Sequence, residues 1–349
     1  MAIEHLLKLK ELFLKDREAT KAQSTIYKNT DHLNQFLEWC EENRLQMIHQ
    51  LEGEHLLEYK FYLRDDPDKQ DSTIGNHFST LRAFFKFCEG LGAATDEQRL
   101  YQTLQGFDFA KGDLSRDDMM EFDQAKLLLN YLQKFEYAKV RHVMFVLFWH
   151  TGCRKSALRS LDLEDYEPAK QREHGTYALL NFYHRPETGT GLKNGEKSER
   201  QIIIWPEYAE VIEDYINVHR KDVADEYGRN PLITSPNGRY SKGAITNNIY
   251  CITRPCWYGQ PCPHDRDPET CESVPYAKAA TCPDSQSPHP LRRTAITYHL
   301  EEKNWTYEGA SGRFDVQVKT LKEHYDQSTT DGQRKTRAAQ FFDGDSHAL

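Results

Sequence analysis

In a chain whose apolar residues recur almost throughout at helical spacing, two β-branched or aromatic runs stand out: TYALLNFYH at 176–184 and RQIIIW at 200–205. They are joined by the polar RPETGTGLKNGEKSE, whose Asn194-Gly195 step is a turn signal. Two such runs make one β-hairpin with a long, mobile, lysine-bearing connection. The sheet is therefore small and the fold mainly α, with an α+β second half. At 349 residues the chain exceeds one ordinary core, and its 38% hydrophobic content fills two.

The helical spacing divides accordingly. Ile26, Leu33, Phe36, Leu37 and Cys40 share one face of TIYKNTDHLNQFLEWCEEN, and Ile74, Phe78, Leu81 and Phe85 share one of STIGNHFSTLRAFFKFCEGLG. GEHLLEYKFYLRDD lies between them as a third helix, and Gly90 and Gly92 stop the run. The expected organisation is a helical N-terminal domain over 1–100, a linker over 101–120 and a second domain over 121–349. The second domain opens with FDQAKLLLNYLQKF and AKVRHVMFVLFWHTGCRKSALRSL, the latter interrupted at Gly152. Lys60, Arg64, Arg82 and Lys86 fall on polar faces of the N-terminal helices and are candidates for contact with DNA phosphates.

Forty-five Lys and Arg against 54 Asp and Glu give a net charge of −9. This excess argues against indiscriminate binding to nucleic acid and leaves room for a local basic groove, because association follows the local field. No apolar run approaches the roughly 18 residues of a membrane helix, so a cytoplasmic protein is expected.

Three segments carry chemistry. HTGCRKSALRSLDLEDY places Arg154 just after Thr151-Gly152, where glycine lets backbone approach closely; SPHPLRRTAITYHL sets His289 and Arg292 one helical turn apart; LKEHYD brings Tyr325. Two arginines from separate helices can clamp one phosphate, since the planar guanidinium binds its oxygens bidentately and keeps its charge. A tyrosine hydroxyl titrates near pH 10, so it attacks a phosphodiester at neutral pH only where such cations stabilise phenolate and transition state.

In order and spacing these segments resemble those of the tyrosine recombinases, the phage-integrase family, and within it the archaeal integrases of haloarchaeal type. The resemblance implies a two-domain DNA-breaking-rejoining fold and a site-specific recombinase that cuts and rejoins strands through a 3′-phosphotyrosyl intermediate, without metal or ATP. Arg154, His289 and Arg292 become the phosphate-binding groups and Tyr325 the nucleophile. A lysine is expected on the hairpin, where Lys193 and Lys197 qualify and Lys193 is favoured for its place in TGLKNG. The implied partner is duplex DNA carrying recombination sites, with a homo-tetramer forming on it. Two positions depart from the pattern: Ala157 replaces a glutamate, and Val316 stands where a histidine or tryptophan is usual. Arg313, one turn before Val316, is the candidate to fill that gap. A type IB topoisomerase shares the same chemistry, and a catalytically inactive, zinc-braced DNA-binding protein is the reading that the two departures suggest.

Between the hairpin and His289 lies a cysteine-rich insert at 251–282. Cys256, Cys262, Cys271 and Cys282 are the expected ligands of a structural zinc, with His264 able to replace one of them and reduced, unliganded thiols the alternative.

Overall fold

In the computed structural model, which describes residues 5–94, 97–109, 119–303 and 305–324, the chain forms two compact units, 1–116 and 117–349. In the first, α1 (Leu6–Glu18), α2 (Gln23–Glu42), α3 (Gly53–Arg64) and α4 (Asp71–Gly90) meet around one core. The residues spaced helically in the sequence supply it: Leu33, Phe36, Cys40, Ile74, Phe78, Leu81 and Phe85 are all buried there. A further helix, α5 (Leu100–Gln105), buries Leu100 and Leu104 in the same core, and Phe107 and Phe109 pack on Phe78. The stretch expected to begin the linker thus packs on the N-terminal unit.

The second unit is built on α7 (Val140–Thr151), preceded by α6 (Phe122–Phe135). Every residue of α7 from His142 to Thr151 is buried, the mark of a helix enclosed on all sides. It ends at Gly152, whose φ of +53° lets its N–H reach the Phe148 carbonyl at 2.9 Å before α8 (Lys155–Ser160) starts in a new direction.

Next comes a three-stranded antiparallel sheet in the order β1 (Tyr166–Arg172), β2 (Gly175–Phe182), β3 (Arg200–Ile204). Ala178, Leu180, Phe182, Ile202 and Ile204 point into the core. β2 and β3 are the expected hairpin, with Leu180 opposite Ile202. β1 is an addition: YEPAKQR is polar, and its pairing shifts register around Pro168, where a ring without an N–H is tolerated only at a bulge or an edge.

The remaining elements are α9 (Pro206–Asp214), a short β4 (Thr234–Ser235) and β5 (Gly238–Arg239) pair, α10 (Lys242–Thr253), α11 (Pro288–Glu301), α12 (Tyr307–Phe314) and α13 (Val318–His324). Ser287 caps α11 by accepting from the His289 N–H, and Pro288 takes the first-turn position that needs no donor. α11 lies against α7, and the ring of Phe314 at the end of α12 closes over Gly152. A Cβ there would meet Phe314 Cδ1 at 2.6 Å, in a backbone conformation that side chains rarely adopt. Gly152→Ala should therefore destabilise the second unit by about 2–4 kcal/mol, read as a lowered denaturation midpoint; an unchanged midpoint would contradict this packing.

Candidate active site

Arg292, on the buried face of α11, is 2% exposed. Its Nη1 donates to the Gly152 carbonyl at the end of α7, and its Nη2 donates to the Phe314 carbonyl at 2.7 Å. A buried guanidinium is tolerated only when its donors find acceptors, and these come from two helix ends. Arg154 sits two residues beyond Gly152 at the cap of α8 and pairs with the carboxylate of Asp315. A further arginine that the sequence reading passed over, Arg200 of β3, donates Nε to the Arg313 carbonyl at 3.0 Å and Nη1 to the Ser198 carbonyl at 2.8 Å, with its guanidinium 4.2 Å from the Phe182 ring centre.

His289 shows where these charges converge. Although the residue is exposed at the start of α11, its imidazole is held below the ordinary histidine value, first by burial of the ring among its neighbours and then by Arg292, Arg293, Lys193 and Arg154. One ring therefore feels both expected arginines and the favoured lysine.

The Lys193 connection is folded where the sequence suggested a mobile tip. Leu192 is buried and donates its N–H to His184 Nδ1 at 2.9 Å, and short 3₁₀ turns span Pro186–Thr188 and Gly195–Ser198. An ionic network holds its base: Arg185 grips Asp165 through two bonds of 2.9 and 2.6 Å, while Arg229 reaches Asp162 at 2.7 Å and Thr190 at 2.6 Å. Asp162 and Asp165 are 2% and 1% exposed, so these ion pairs are shielded from solvent screening.

Arg313 is engaged elsewhere. It donates to the Ile203 carbonyl at 3.0 Å and to the His150 carbonyl and Nε2 at 2.9 Å, and it stacks on Trp305. Burial and the Arg313 charge hold His150 well below the usual histidine range, so its neutral Nε2 accepts. Val316, 8% exposed, packs with Ile296, Leu300, Phe314 and Leu321, and Ala157 belongs to the main core. Tyr325 lies outside the described residues; α13 ends at His324 just before it.

Of the four cations proposed for DNA in the first unit, two are spent on the protein itself. Lys60, 9% exposed, donates to the Asp108 carbonyl at 3.2 Å with its ammonium over Phe107 and Phe109. Arg82 donates Nε to the Leu104 carbonyl at 2.8 Å and Nη2 to the Phe107 carbonyl at 2.9 Å. Long polar side chains at helical spacing read the same in a sequence whether they meet solvent or a returning chain. Arg64 is exposed and 3.5 Å from Asp71, and Lys86 is exposed beside Tyr101.

The expected zinc centre is not assembled. Cys256, Cys262, Cys271 and Cys282 line one cavity together with His264 and Asp284, yet among the described residues no three His, Cys, Asp or Glu side chains are grouped to hold a metal ion. His264 Nε2 faces Asp284 at 2.7 Å, and the Cys271 thiol is held below its usual value by hydrogen bonds from Ser273 and Arg266. Hydrogen bonds tie the insert to its surroundings. Arg254, 5% exposed, bridges the Cys251 and Ser273 carbonyls, Thr253 pairs with Gln286, and the Tyr276 hydroxyl donates to the Ala244 carbonyl of α10 at 3.2 Å.

No protein-family model and no curated protein matches the sequence. Solved structures do match. The chain superposes on a Tn1549 transposon integrase in complex with transposon right end DNA with a TM-score of 0.64 at 15% identity, over 97% of this chain and 99% of that one. The fold is that of the tyrosine recombinases. The XerH site-specific recombinase bound to a palindromic difH substrate matches with a TM-score of 0.64 at 13% identity, over 97% of this chain and 85% of that one. A lambda integrase dimer bound to a COC′ core site matches at 0.56 and 12%, over 95% and 77%. Within this recombinase fold, no described helix is long and apolar enough to cross a membrane.

Arg82→Ala should lower the stability of the first unit by about 1–2 kcal/mol, because two carbonyls lose their donor; an unchanged denaturation midpoint would contradict this packing.

Proposed function

We propose that this chain is a site-specific DNA recombinase of integrase type, of the archaeal kind its motifs resemble, with Tyr325 as nucleophile. The observation that carries the reading is geometric: Arg292, one turn after His289, holds the Gly152 carbonyl two residues before Arg154, and Asp315 ties Arg154 to the connection that bears Lys193, within a fold shared with recombinases solved on DNA. In this reading Arg154 and Arg292 hold the non-bridging oxygens of the scissile phosphate and stabilise the charge that grows on them. The Tyr325 oxygen attacks phosphorus and its proton passes to His289, which burial first and the surrounding cations second keep neutral and able to accept it. The bond to the 5′-oxygen breaks, and Lys193 supplies the proton to that leaving group. The phosphotyrosyl bond conserves the energy of the bond it replaces. A 5′-hydroxyl from another strand then reverses the attack, and four copies on two sites carry out the exchange. The arginines supply the positive charge that a divalent metal provides in other phosphoryl-transfer sites.

The test uses a duplex selected by the chain from a randomised pool and nicked beside the cleavage point, so that the short fragment leaves and covalent protein–DNA adduct accumulates. Wild type should form the adduct in the presence of EDTA and Tyr325→Phe should form none; equal trapping by both would refute the assignment. Specific binding without adduct from wild type would point instead to an inactive DNA-binding protein, and relaxation of plasmids lacking the site to a topoisomerase.

Lys193 has its own test. Lys193→Ala should slow cleavage by about 10²–10⁴-fold, and a 5′-bridging sulfur in the substrate, which departs as thiolate without a proton, should remove most of that defect. A defect of the same size on the sulfur substrate would assign Lys193 to binding.

A further inference from the structure

The site contains one carboxylate that neither the motif pattern nor the reaction above uses. α12 ends at Phe314, and Asp315 follows in the left-handed conformation, φ 52° and ψ 55°, which aspartate accepts more readily than most residues. This turn aims the Asp315 side chain, 13% exposed, into the cluster. Its Oδ2 accepts from Arg154 Nη1 and from Ser198 Oγ at 2.8 Å, and its Oδ1 accepts from Asn194 Nδ2 at 3.3 Å. Asn194 and Ser198 belong to the connection that carries Lys193, and the carbonyl of the preceding residue, Phe314, is the acceptor for Arg292. Asp315 therefore stands where the first arginine, the lysine connection and the helix pair leading to Tyr325 meet.

We propose that Asp315 is the positioning acid of this site, holding one edge of Arg154 so that the rest of its guanidinium faces the phosphate, and fixing the Lys193 connection to the segment that brings Tyr325. The inference rests on the recombinase reading and extends it. Among the described residues, Asp315 is the only hydrogen-bonding partner of the Arg154 guanidinium, which leaves the other donors for a ligand. Ala157, where the resemblance expects an acid one turn after Arg154, is buried in the main core and can contribute no charge. Asp315 brings a carboxylate to the same arginine from a different element. One carboxylate does not cancel the field: Arg154, Arg292, Arg293 and Lys193 all act on His289 in the same direction. What Asp315 adds is a fixed orientation of the guanidinium before DNA arrives, the kind of prior ordering that spares reorganisation in the transition state.

The experiment measures single-turnover cleavage of the nicked duplex by the full-length chain. Asp315→Asn keeps the shape and tolerates the left-handed backbone while removing the charge, and Asp315→Ala leaves a space that formate can enter. The expected result is cleavage slowed by about 10²-fold in both variants with DNA affinity unchanged, and partial recovery of Asp315→Ala on adding formate. Cleavage by Asp315→Asn as fast as wild type or faster would overturn the proposal, making Asp315 a counterion that competes with the phosphate. A slow Asp315→Ala that formate does not help, or one that loses DNA affinity, would overturn it as well. Wild type that forms no adduct fails the recombinase reading itself and this inference with it, so the two failures are told apart in the control.

Discussion

The second unit depends on a charge placed inside it. Arg292 is buried on α11 and hydrogen-bonds the carbonyls at the ends of α7 and α12, so the residue that would grip a phosphate also locks three helices together. Those carbonyls are free because each helix stops there, at the left-handed Gly152 in one case and the left-handed Asp315 in the other. The glycine is required by the Phe314 ring closing over it, and the backbone of the same residue offers the carbonyl that Arg292 holds. Position, stability and charge at this point are one arrangement.

An acidic chain can host a cationic site because many of its acids are occupied. Asp162, Asp165 and Asp225 pair with Arg185, Arg229 and Arg239 beneath the Lys193 connection, where they hold its base. Around His289 the balance reverses, with four cations acting on one imidazole. The net charge of −9 describes the whole chain and not the place where DNA would be handled.

Much of this was legible in the residues. Spacing of Leu33, Phe36, Phe78 and Leu81 found the first core, the Asn194-Gly195 turn found the β2–β3 pair, and glycine before arginine located Arg154. The misses share a cause: they concern contacts between residues far apart in the chain. β1 escaped because Pro168 and its charges mask a strand that needs β2 beside it. Lys60 and Arg82 looked solvated because nothing in α3 or α4 announces the return of 104–109 across them. In the insert the cysteine spacing gave no hint of Arg254, which ties the Cys251 and Ser273 carbonyls together. Asp315 was passed over because its value lies in its distance from Arg154, 161 positions along the chain and in direct contact in space.

The account stands on Arg154, His289 and Arg292 sharing one phosphate of a DNA strand. The most direct measurement is an experimental structure of the Tyr325→Phe chain on the nicked duplex. A single phosphate within hydrogen-bonding distance of both guanidinium groups and of His289, with residue 325 in line with its 5′-oxygen, is the predicted result. A duplex whose nearest phosphate contacts neither arginine, while residue 325 lies away from the backbone, would contradict it.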